Sequence, residues 1–175
     1  MKKLLFVLLT AVFVLAAQSA NAKALNVLNI NKGELPDDTS ECQASLSEEN
    51  ALKEGDFTLK VEFTRMGWCG QYTPKKASWG GFKKFKFIAF NPSDKPIKDV
   101  GVCLKGAKMS NGPENRKDFK LELPVGKSEH SLLYAGAICN DGVSPLDMSK
   151  AYIWNFDNYA DQKVTFFVVK VWLED

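Results

Sequence analysis

The chain has 175 residues, with 23 Lys and Arg against 21 Asp and Glu, a single histidine and 11% aromatic residues. Lys2 and Lys3 account for the excess of cations, so beyond the N-terminal segment the signs balance and no arginines cluster. The electrostatic footprint of a nucleic-acid binder is therefore missing, and one histidine without a Cys-x-x-Cys pair argues against a zinc cluster.

Met1-Lys2-Lys3 precedes an uncharged apolar run from Leu4 to Ala17 and then Ala20-Asn21-Ala22, the order of a cleavable signal peptide over residues 1–22. The run is short of the roughly 20 residues that span a bilayer, so no membrane span is expected after cleavage. The expected mature chain starts at Lys23 and is secreted or periplasmic. Residues 23–175 have the length of a single domain with one core. Cys42, Cys69, Cys103 and Cys139 all lie in it, and export puts them where disulfides persist. Two disulfides follow; of the three connectivities, Cys42–Cys69 with Cys103–Cys139 is preferred.

In chain order, Leu25 to Ile30 is an apolar patch fit for an entry strand before a loop. Ser45 to Lys53 is the best helical candidate, at about two turns. Phe57-Thr58-Leu59-Lys60-Val61-Glu62-Phe63-Thr64 alternates apolar with polar, which puts one face on a core and one in water. Gly67 to Pro74 reads as a loop. Lys84 to Phe90 starts alternating and ends apolar on both sides, as in a central strand, before a turn at Asn91-Pro92. Val100, Val102 and Leu104 alternate, as do Phe119, Leu121 and Leu123, ahead of a break at Pro124 to Gly126. His130 lies in a polar run that reads as a solvated loop or strand edge. Tyr152–Phe156 and Val164–Leu173 close the chain as strands. Many short strands joined by Gly, Asn, Asp and Pro turns predict an all-β fold, a β-sandwich or jelly roll.

Four stretches together resemble the galactose-binding-like jelly rolls that serve as carbohydrate-binding modules. Ser45 to Val61 is similar to the opening glycine turn and strand, and Trp79-Gly80-Gly81-Phe82 followed by Lys83 to Phe87 is similar to an aromatic-glycine segment leading into a strand. Leu123-Pro124-Val125-Gly126 resembles a break, and Leu146 to Lys150 a turn before a strand. The resemblance covers most of residues 44–175 and implies a non-catalytic domain that binds an oligosaccharide or polysaccharide. It places Trp79 and Trp172 at packing positions. Such modules often hold a structural calcium through acids on the final strand; here that strand is Phe167-Val168-Val169-Lys170-Val171, which offers only backbone carbonyls. No metal or other cofactor is expected, and Asp141, Asp147, Asp157 and Asp161 read as turn acids.

No catalytic residues are assigned, because His130 has no accompanying nucleophile or orienting acid. Sugar binding needs aromatic faces beside amides and acids, carried on a rigid scaffold. Trp68 and Tyr72, flanking Cys69, and Trp154 and Tyr159, in a cluster with Asn155, Asp157 and Asn158, are the candidate ligand-binding residues. A lid over the core for the first pair and a plain hairpin end for the second remain open. The expected partner is a glycan; the rival is a cell-envelope protein docked on the same sandwich.

Overall fold

The computed structural model describes residues 23–175, so the expected signal peptide lies outside the described residues. Strand β3, Thr58–Tyr72, organises the fold. One edge pairs with β2, Asp38–Ser47, at both ends of its length. The other edge pairs with β9, Val164–Glu174, from Leu59 to Phe63, and then with β8, Ile153–Asn158, from Gly67 to Tyr72. The change of partner falls opposite a register shift between Ser40 and Cys42, where Glu41 takes a φ of 53°. A bulge of this kind bends and twists a strand, and here it carries the β2–β3 hairpin from one layer into the other.

The first layer continues from β8 to β5, Ile97–Lys105, and β6, Arg116–Leu123. The second continues from β9 to β4, Lys84–Asn91, and β7, Gly126–Leu133, with β1, Ala24–Leu28, paired to the end of β9. All pairings are antiparallel, and the result is a nearly closed β-sandwich, the all-β fold the sequence predicts.

Between the layers, aromatic rings interlock edge to face. Phe156 on β8 meets Phe87 of β4 at 5.1 Å and Phe166 of β9 at 5.9 Å, and it stands edge-on to its own strand's Trp154 at 5.6 Å. Leu59, Val61, Val102, Leu104 and Val168 fill the remainder, each fully buried or nearly so. Trp79 is buried in the core, with its indole N–H donating to the Lys76 carbonyl, as expected; Trp172 is instead on the outer face of β9, buried under the Lys86 and Lys170 side chains and outside the core between the layers.

Two local expectations are corrected, and one of two open readings is settled. Ser45–Lys53 forms no helix: β2 runs through Ser47 and ends in a turn, where the Thr58 hydroxyl, within reach of both the Ser47 and Glu49 carbonyls, ties the connection down. Two turns of helix cannot outcompete ladder bonds plus this clamp. Gly67 to Tyr72 is strand, not loop, its glycines being required by close neighbours. The run holding His130 is the edge strand β7 rather than a loop, and the imidazole is half-buried, stacking on Phe87 at 4.7 Å beside the Ser128 hydroxyl, where burial lowers its pKa. Among the other acids, Asp141 accepts bonds from the Val143 and Ser144 amides and Asp147 from that of Ser149, as turn acids do.

Candidate functional site

Because side chains alternate along a strand, the residues between the core positions of the first layer form a second surface. On β5 the core takes Val102 and Leu104, leaving Gly101, Cys103 and Lys105 outward; on β8 it takes Trp154 and Phe156, leaving Ile153, Asn155 and Asp157. The strand register sets these into three ranks. Lys120, Gly101, Asp157 and Trp68 lie across the first, Asp118, Cys103, Asn155 and Gly70 across the second, and Arg116, Lys105, Ile153 and Tyr72 across the third. The ranks floor a cleft of about 590 Å³, within the range of small-ligand sites.

Two glycines shape it. A Cβ on Gly101 would come within 2.8 Å of the Tyr159 ring and 2.5 Å of the Phe119 carbonyl oxygen; one on Gly70 would overlap the Trp154 carbonyl and the Asn155 side chain. Glycine at these positions lets Tyr159 lie down on β5 and Asn155 sit over β3.

The rim on the β3 side is aromatic. Trp68 is 42% exposed, with its indole N–H donating to Asp38 Oδ1 at 2.9 Å. Tyr72 is 48% exposed and stands edge-on to Tyr152 at 5.0 Å, their hydroxyls 2.9 Å apart. The opposite wall is charged. Arg116 Nε donates to Asp118 Oδ1 at 2.7 Å, and its Nη2 lies 3.7 Å from Asp157 Oδ2. Asn140 holds the second Asp118 oxygen, and Lys105 donates to the neutral Asn111.

The floor is polar and under-satisfied. Asn155 Oδ1, Asp157 Oδ2 and the Tyr159 hydroxyl are buried without a hydrogen-bond partner. Buried polar groups are normally paired, and these three converge on one cleft. Burial pushes the Asp157 carboxyl up to about 7, against the pull of Arg116, and drives the Tyr159 hydroxyl and the Cys103 thiol upward as well.

Asp157 and Asp118 offer oxygens within 4.8 Å of each other and of the Cys103 sulfur. They come from the two strands that flank β5, and Arg116 contacts both.

Of the four sequence-predicted binding residues, the structure brings Trp68, Tyr72 and Tyr159 to this cleft. Trp154 is corrected: it is fully buried, packed on Phe85 and Phe156, with its N–H donating to Gln71 Oε1 at 3.0 Å. Its neighbours Asn155 and Asp157 point the other way and line the cleft. Asp38, Lys105 and Arg116 escape a motif search, although the core phase of Val102 and Leu104 already turns Lys105 outward.

Cys42 and Cys69 are in side-chain contact, whereas the pairing of Cys103 with Cys139 is corrected. Cys103 faces the cleft from β5. Cys139 packs in the core, in a segment that bonds through Asn140 to the Arg116 carbonyl and the Asp118 amide, beyond β6. Two strand spacings, roughly 10 Å, exceed the reach of a disulfide.

No family model matches the chain, and no curated protein does. Among solved structures, it is similar to the family 11 carbohydrate-binding module of the cellulosomal cellulase Lic26A-Cel5E of Clostridium thermocellum, at 12% identity and a TM-score of 0.62, over 87% of this chain and 93% of that one. A family 11 carbohydrate-binding module from Clostridium thermocellum in complex with a β-1,3-1,4-mixed-linked tetrasaccharide matches at 13% identity and a TM-score of 0.61, over 85% of this chain and 94% of that one. An exo-β-agarase matches at 14% identity and 0.62, over 86% of this chain and 25% of that one. None of the described helices is long and apolar enough to cross a membrane. The chain thus has the nearly closed β-sandwich fold of carbohydrate-binding modules.

Proposed function

We propose that this is a non-catalytic glycan-binding domain, exported by its leader, and that the face built by β6, β5, β8 and β3 takes a segment of an oligosaccharide or polysaccharide. The observation that carries the reading is the convergence of Asn155 Oδ1, Asp157 Oδ2 and the Tyr159 hydroxyl, three buried polar atoms without a hydrogen-bond partner, on one cleft rimmed by exposed Trp68 and Tyr72. A sugar presents hydroxyls at its edge and C–H groups on its faces. The floor supplies the hydrogen bonds that the first require, and the indole and phenol rings supply apolar area for the second. The ranks repeat about every 7 Å along the strands, so the cleft offers several subsites to a linear chain. The fold adds support, since the similar module from Clostridium thermocellum is described with a bound mixed-linked tetrasaccharide.

The test is titration of residues 23–175 with mixed-linkage β-glucan, cello- and xylo-oligosaccharides and agarose, by calorimetry or affinity electrophoresis. Saturable binding to one of them, weakened about fivefold or more in Trp68→Ala or Tyr72→Ala, is expected, since a lost stacking contact of this kind costs about 1 kcal/mol. No binding to any of these glycans by a protein shown to be folded would sink the reading and turn the search to an envelope protein partner.

A further inference from the structure

We propose that Cys42 and Cys69 form a disulfide that staples the β2–β3 hairpin at its bend, and that Cys103 and Cys139 remain thiols. In the ladder Cys42 lies opposite Phe63 and Cys69 opposite Thr39, so in a straight hairpin they would stand well apart. The register shift at Glu41 and the switch of β3 from β9 to β8 fold the strand over, and the two thiols meet on the core side of the bend. Cys69 is completely buried and Cys42 only partly, so an oxidant reaches the pair through Cys42. That sulfur is also the more acidic of the two, because the Cys69 S–H and the Glu62 backbone point toward it.

The chemistry is thiol–disulfide exchange with a disulfide-bearing oxidant, such as an oxidoreductase met on export or oxidised glutathione in the test tube. Cys42 loses its proton and attacks one sulfur of the oxidant, which releases one thiolate. Cys69 then loses its proton and attacks the Cys42 sulfur, which releases the second. Two protein thiols are oxidised and one disulfide of the oxidant is reduced to two thiols.

Trp68 immediately precedes Cys69 and lies opposite Ser40, so the staple fixes the bend from which this rim residue projects. This consequence rests on the glycan reading; the bond itself does not.

The experiment refolds residues 23–175 with a mixture of oxidised and reduced glutathione, alkylates free thiols, and maps peptides without reduction. The expected result is one cross-link joining the peptides of Cys42 and Cys69, with Cys103 and Cys139 alkylated. Alkylation of all four in folded protein, or a cross-link through Cys103 or Cys139, overturns the proposal. In a second arm, Cys42→Ser and Cys69→Ser should each melt roughly 10 °C below the oxidised wild type, as expected for opening a loop of this length, and unchanged melting also counts against it. Neither arm uses a glycan, so the staple stands or falls independently of the cleft's ligand.

Discussion

Asp157→Asn tests the electrostatics of the cleft floor directly. The carboxyl ionises near 3.8 in an ordinary setting and near 7 in its buried position on β8. Between those limits the native state holds a proton that the unfolded chain has released, so stability falls as pH rises from about 4 to 7 and levels off above. At 1.36 kcal/mol for each pKa unit, the ionised carboxyl costs the fold about 4 kcal/mol above pH 8. Asparagine keeps the shape, loses the titration, and is therefore expected to be more stable than aspartate at high pH by an amount of that order, less the lost contact with Arg116. His130 works in the opposite direction: its lowered pKa makes stability rise with pH through the histidine range. It does so in both proteins, so the difference between them isolates Asp157. Urea unfolding at pH 4, 5.5, 7 and 8.5 measures that difference. A gap that grows with pH and saturates near 8 is expected; one that stays constant would refute the assignment of a strained, desolvated carboxyl to the floor.

Gly101→Ala should close the cleft, because the new methyl meets the Tyr159 ring and the Phe119 carbonyl. Overpacking of this kind costs about 1–3 kcal/mol, and denaturant midpoints with glycan titration should report loss of both stability and affinity. Trp154→Ala should behave as a core truncation, losing about 3–5 kcal/mol in urea unfolding; full stability with lost glycan binding would return Trp154 to the surface.

Much of the architecture was legible in single residues. Alternation from Phe57 to Thr64 and at Val100, Val102 and Leu104 is the direct imprint of a half-buried sheet, and β3 and β5 lie there. β7 was harder to see, because an edge strand buries little: its inward positions are Ser128, His130 and Leu132, and only packing on Phe87 gives the histidine a reason to be there. Trp154 shows a different failure. Its neighbourhood of Asn155, Asp157 and Asn158 marks a polar surface, but the phase of the strand is set by Phe156, and two aromatics two residues apart share a face. Arg116 and Lys105 reach the site only through strand pairings distant in sequence, and no local pattern encodes which strands become neighbours.

The β2–β3 hairpin, shared by both layers, also bears on how the molecule breathes. A sandwich of separate sheets can loosen one while the other persists; here opening β3 removes the partner of β8 and of β9 together. Amides across these strands should then exchange with solvent in one cooperative event, at the free energy of global unfolding, while the outer strands β6 and β7 exchange earlier. A cleft floored on β8 and β3 would inherit that rigidity, presenting its ligand with a surface already in its bound shape and leaving adjustment to Trp68 and Tyr72 at the rim.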